Sequence, residues 1–133
     1  MHPIERFGSG GPYEETIGYS RVVRAGEWVV SAGCTSIVDG DPTHPGDAYG
    51  QAVTALRSAV AALQRAGCPP ERIVQSRMYV TAREHAEAVG RAHAAVLGQT
   101  RPAATMVMVA GLVDERMLVE VELAGWTGDR PQS

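Results

Sequence analysis

The stretch Arg101-Pro-Ala-Ala-Thr-Met-Val-Met-Val-Ala110 constrains the fold of this chain more than any other. Successive side chains of a strand point to opposite faces. From Thr105 to Val109 this puts Met106 and Met108 on one side and Val107 and Val109 on the other. A strand that is apolar on both sides belongs inside a structure covered on both sides. A second apolar strand, Leu118-Val-Glu-Val-Glu-Leu-Ala124, follows after a short polar turn.

The rest of the chain supplies partners for these strands. Gly8-Ser-Gly-Gly-Pro12 lies in a flexible lead-in covering residues 1–16, and no GK[ST] follows to make it a phosphate loop. Tyr19–Arg24 and Glu27–Cys34 read as a hairpin turned at Ala25-Gly26. Asp39–Gly46 is a turn-rich loop. A helix is predicted from Asp47, a good N-cap, to Ala66, with Ala52, Leu56, Val60 and Leu63 as its stripe and Gly67 and Pro69-Pro70 as its stop. Ile73–Thr81 reads as a strand and Glu84–Leu97 as a second helix, and the tail 127–133 is polar.

The order ββ-α-β-α-ββ predicts a single-domain α+β fold, a mixed sheet with two helices on one face. Two helices cover only one face. The doubly apolar strand therefore predicts a homo-oligomer in which other copies cover the second.

Composition removes several function classes. The 133 residues carry a net charge of −3 without a basic run, so a nucleic-acid partner is not expected. All twelve basic residues are Arg; with no Lys there is no side-chain amine for a Schiff base or for pyridoxal phosphate, and no cofactor is predicted. No apolar run reaches the length of a membrane span. The start, Met1-His-Pro-Ile-Glu-Arg-Phe7, lacks signal-peptide character, and Cys34 and Cys68 form no CxxC motif, so a cytoplasmic location is expected. His85 and His93 lie about 12 Å apart along a helix, too far to share an ion. No metal site is predicted.

Glu120 and Glu122 alternate with Val119, Val121 and Leu123, so both carboxylates project from one face. They form either a solvated stripe or the acid/base group of a cleft. Arg77 and Tyr79 share a face of the middle strand; Arg77 serves either anion recognition or a salt bridge to a sheet glutamate. Tyr19, just before the first strand, either binds a ligand or packs. Glu14 and Glu15 read as a solvated loop pair.

Taken together and in order, Ile17-Gly-Tyr19, Val29-Val-Ser-Ala-Gly33, Gln51, Val74–Thr81, Arg101-Pro-Ala103 and Leu118-Val-Glu-Val-Glu122 resemble the RidA family, also called YjgF, the reactive-intermediate deaminases. The resemblance spans about 110 residues from Tyr19 on. It implies a chorismate-mutase-like homotrimer with small-molecule pockets between subunits. The family's deaminases hydrolyse imines and enamines; an arginine clamps the substrate carboxylate and a glutamate orients the attacking water. By that resemblance Tyr19 is the pocket tyrosine and Glu120 the water-orienting glutamate. Four positions depart: Ala104 stands where the arginine is expected, Ala32 for a serine or threonine, Gly90 for asparagine and Met106 for cysteine.

A desolvated charge-assisted pair contributes about 1.5–3 kcal/mol. Without it, activity on 2-iminopropionate is expected to be weak or absent. Arg101 points away from Ala104, about 10 Å off, which makes Arg77 the candidate substitute. Three functions follow: an enzyme adding water or moving a proton at an imine, enamine or enol, with Glu120 as acid/base and Tyr19 and Arg77 orienting; a non-catalytic trimer that binds a metabolite; and a ribonuclease, against which the acidic charge argues.

Overall fold

The computed structural model describes residues 3–129. The main sheet contains β1 (Ile4–Phe7), β2 (Val22–Ala25) and β3 (Trp28–Ser31). A small hairpin, β4 (Ile37–Val38) with β5 (Asp41–Pro42), leads into α1 (Ala48–Arg65). Then come β6 (Ile73–Val80), α2 (Ala86–Leu97), β7 (Ala103–Met108) and β8 (Val119–Trp126). The sheet runs β1-β2-β3-β8-β6-β7, antiparallel except for the parallel pair β6 and β7.

The helices form where capping chemistry dictates. The Asp47 carboxylate accepts a hydrogen bond from Gly50 N at 3.0 Å, satisfying an amide that the first turn of α1 leaves unpaired. Gly67, at φ 90°, takes the left-handed conformation that ends the helix. Leu56 and Leu63 of α1 and Val89, Ala92 and Leu97 of α2 are buried against Val22, Val29, Met78, Val80, Val119 and Val121. Both helices thus cover one sheet face, as expected. The other face carries Trp28 and Val30, 51% and 44% exposed.

Gln51 joins the two ends of the fold. Its side chain has no exposed surface. Nε2 donates to His44 O and Arg116 O, while Oε1 accepts from Leu118 N at 2.7 Å. Every polar atom of a buried amide is thereby used, and the first turn of α1 fixes the start of β8.

One expectation needs correction: the lead-in 1–16 is not uniformly flexible, because Ile4–Phe7 pairs with β2 and Glu14–Gly18 forms one turn of π-helix. The last two strands are separated in the sheet by β6. Within one chain β7 is an edge strand with Val107 and Met108 about 40% exposed, the surface that the sequence reading assigns to other copies. The tail from Thr127 begins docked, with Thr127 N donating to Glu27 O and Thr127 Oγ1 accepting from Arg24. Residues 130–133 of that tail, and residues 1–2 of the lead-in, lie outside the described residues.

Candidate functional site

The site is organised by an irregularity between β3 and β8. Val30 pairs with Ala124, and pairing resumes at Cys34 with Val121. Three residues, Ser31, Ala32 and Gly33, therefore face two, Glu122 and Leu123. The extra residue makes a bulge, which bends a strand and re-aims its side chains. Ser31 Oγ fills the gap in the ladder by accepting from Leu123 N at 3.0 Å. Cys34 turns into the core, 5% exposed. Gly33 is left with its Cα against the Glu120 carboxylate: a Cβ there would overlap Oε2 and stand 2.8 Å from Cδ.

Glu120 projects from the sheet face away from the helices, half-buried, as its alternation with Val119 and Val121 requires. Burial raises its pKa above the ordinary 4.5, Glu122 beside it adds to the rise, and Arg21 opposes it. A carboxyl whose proton affinity is raised by burial is better suited to take and return a proton than a solvated one.

Arg21, which the sequence reading passed over, lies at the centre of this half of the site. Its Nη1 donates to Gly33 O at 2.6 Å and to Cys34 Sγ at 3.6 Å, and its Nη2 to the Tyr19 hydroxyl at 3.3 Å. The guanidinium lies 5.5 Å from the Tyr19 ring centroid. Its Nε is 3.7 Å from Glu14 Oε2, with both side chains largely covered. Glu14 is not a solvated loop residue: it accepts from Ser9 N, Ser9 Oγ and Gly11 N, which hold its pKa down. Burial pushes the Cys34 thiol up while Arg21 pulls it partly back, so Cys34 remains a buried thiol rather than a nucleophile.

The other residues singled out fall elsewhere. Arg77 and Tyr79 do share a face, the one that carries Glu120. There Arg77 Nη1 lies 3.6 Å from Glu122 Oε1, and the Tyr79 hydroxyl donates to the same oxygen at 2.5 Å. Val30, Gln75, Arg77, Glu122 and Ala124 line a shallow depression around this group. Ala104 pairs with Ser76 and Met106 with Met78; the two β6 partners are buried on the helix side, while Ala104 itself is exposed and Met106 partly so. Arg77 therefore projects from the Glu120 face, opposite Ala104, and is paired there with Glu122. Gly90 lies on α2, with open space where a side chain would be.

Near Ala104, Ser76 Oγ and His93 Nε2 are 2.8 Å apart. Burial lowers the His93 pKa, and Ser76 has no exposed surface. The pair satisfies a buried hydroxyl with a partly buried imidazole and offers no reachable serine nucleophile. Among the described residues no group of three His, Cys, Asp or Glu could hold a metal ion. Among the same residues no helix is long and apolar enough to cross a membrane.

The bulged sheet, the helices on one face and the half-buried glutamate define a class: small α+β chains whose bare sheet face carries a carboxylate beside a tyrosine. The chain belongs to the YjgF/RidA family. The family model described as Endoribonuclease L-PSP matches residues 13–125. Protein SCO2049 of Streptomyces coelicolor is 36% identical over 126 residues, covering 94% of this chain and 93% of its own. The crystal structure of Rv2704 from Mycobacterium tuberculosis, a member of the YjgF/YER057c/UK114 family, is 36% identical and matches with a TM-score of 0.84, covering 93% of this chain and 99% of the other. PA3499 of Pseudomonas aeruginosa is 28% identical with a TM-score of 0.80, covering 96% and 94%. The family supports an enzyme-like or binding role toward small molecules.

Proposed function

We propose that this protein is a RidA-like enzyme that adds water or moves a proton at an imine, enamine or enol larger or less acidic than a simple amino-acid imine. The observation that carries this reading is the Glu120 carboxylate, half-buried over Gly33 with its proton affinity raised by burial. In the proposed step Glu120 takes a proton from water as the oxygen attacks the C=N carbon. It returns that proton to nitrogen to give the carbinolamine; the new hydroxyl then passes its proton through Glu120 to nitrogen, and the amine leaves as the carbonyl forms. Tyr19 orients the substrate. No cofactor takes part, and a step in specialised metabolism fits a relaxed pocket.

Two halves of such a pocket lie apart in one chain. Glu120 and Tyr19 belong to the bare sheet face, whereas Ala104, Met106 and Gly90 belong to the helix side at the β7 edge. A second copy supplies the missing half, which supports the homotrimer implied by the resemblance. Trp28 and Val30 are the apolar surface such copies would cover. The small residues Ala32, Ala104 and Gly90 leave room for a bulkier substrate.

Glu120→Gln tests the reaction. Imines of a panel of amino acids, released in situ by an amino-acid oxidase, serve as substrates. The expected result is loss of turnover with ligand affinity nearly intact; wild-type turnover in the variant would refute the assignment. The second reading, a trimer that binds a metabolite without turnover, is favoured by the loss of the arginine at Ala104. It predicts binding without hydrolysis even in the wild-type protein. The ribonuclease reading is disfavoured by the acidic charge and by the absence of a basic stripe in the sequence.

A further inference from the structure

We infer that the pocket's anion-recognition group has moved from β7 to the start of β2: Arg21, acting with the Tyr19 hydroxyl, receives the anionic oxygen of the ligand beside Glu120. This rests on the proposed pocket at Glu120 and goes on to name what it recognises, a small molecule with a carboxylate or enolate.

Three observations support it. First, position 104 carries no charge, and Arg77, the other arginine on the Glu120 face, is paired with Glu122. Second, the Arg21 guanidinium is held in place on the Glu120 side. Its Nη1 is committed to Gly33 O, and the same residue's Cα supports the Glu120 carboxylate. Arginine and glutamate thus share one backbone anchor, so their separation is fixed by the bulge and not by flexible side chains.

Third, the direction of the Tyr19 hydrogen bond matters. Arg21 Nη2 donates to the phenol oxygen, and among the described residues the Tyr19 hydroxyl proton has no acceptor. A phenol that accepts from a cation is polarised to donate. The proton is available to a ligand oxygen, with the positive charge directly behind it. Nε–H and one Nη2 hydrogen also lack an acceptor within hydrogen-bond range among the described residues, since Glu14 stays at 3.7 Å and is itself held by Ser9 and Gly11. Glu14 keeps the guanidinium from being a bare buried charge without using up its donors.

The test uses pyruvate as a charged probe and methyl pyruvate as its uncharged match, with binding to the full-length protein followed by calorimetry. The wild-type protein is expected to prefer pyruvate. Arg21→Gln should weaken pyruvate binding at least tenfold and methyl pyruvate far less, Arg21→Lys should recover part of the preference, and Tyr19→Phe should also lose several-fold. Arg77→Gln should change neither ligand. A wild-type protein with no preference for pyruvate, or a preference lost in Arg77→Gln and kept in Arg21→Gln, overturns the inference. Should Arg21→Gln fail to fold, Tyr19→Phe leaves the guanidinium and its packing in place, and unchanged pyruvate affinity there overturns it equally. Glu120→Gln separates this inference from the proposed reaction. A variant that keeps both the pyruvate preference and turnover removes Glu120 as acid/base and leaves the Arg21 site standing.

Discussion

Gly33→Ala should impair chemistry without impairing the fold. The added Cβ would overlap Glu120 Oε2 and sit 2.8 Å from Cδ and 3.2 Å from Cγ. Relief to ordinary contact moves the carboxylate by about 1 Å, on the scale of contact distances between packed heavy atoms. A misplacement of about 1 Å costs roughly 100-fold in rate, or about 2.7 kcal/mol of barrier. The fold should tolerate the change, because Gly33 is not among the residues of positive φ and the displaced group is the end of a flexible side chain. The assay is kcat/KM on the imine panel, with thermal unfolding as the control. Carbon-detected titration of labelled glutamate provides a readout independent of substrate. Pushed off the backbone and into water, Glu120 should titrate closer to the ordinary 4.5. Wild-type kcat/KM with an unmoved Glu120 titration would mean that the Gly33 contact does not position the carboxylate.

Two further outcomes follow from the same geometry. Val30→Asp places a charge on the bare sheet face, at a residue 44% exposed in the single chain. It should leave circular dichroism unchanged and shift the species seen by light scattering from the proposed trimer to a single chain of 14.1 kDa; an unshifted mass would show that this face is not the interface. Glu120→Gln should alter the pH dependence of stability. The folded protein holds the Glu120 proton more tightly than the unfolded chain, so its contribution is fully present below the unfolded value and is lost as pH rises through the raised folded value. The variant lacks that loss, so its melting temperature relative to wild type should rise between pH 4 and pH 8, and a flat difference would contradict the burial of Glu120.

How much of this was legible in the sequence depends on the range of the interaction. The helices were readable because their caps and stripes are local: Asp47 begins α1 and Gly67 ends it. The face shared by Glu120 and Glu122 was readable from period-two alternation. Strand β1 was not, since Ile4-Glu-Arg-Phe7 mixes polar and apolar residues and becomes a strand only by adding to the edge at β2. The parallel pairing of β7 with β6, which places β6 between the last two strands, depends on a crossover through α2 that no local pattern announces. Arg21 stayed hidden for the same reason as the bulge. A strand arginine looks solvent-facing until the register of β3 against β8 brings Gly33 O beneath it. The one local signal was Tyr19 two residues away, just ahead of β2.

The two halves of the proposed pocket obey different constraints. On the Glu120 side the functional groups are tied to backbone: Glu120 to the Gly33 Cα, Arg21 to the Gly33 carbonyl, Tyr19 to Arg21, and the bulge to the Ser31 hydroxyl. Changing any one of them disturbs the others. On the β7 side, Ala104 and Gly90 are small residues, and no side-chain hydrogen bond among the described residues depends on either. Substitution there changes pocket shape and charge at little cost to the fold. A lineage can therefore lose the arginine at position 104 and still keep the proton-handling half intact, provided some other cation meets the ligand's charge. Arg21 satisfies that condition from the half that cannot easily vary. That couples recognition of the anion to the placement of Glu120 through a single glycine.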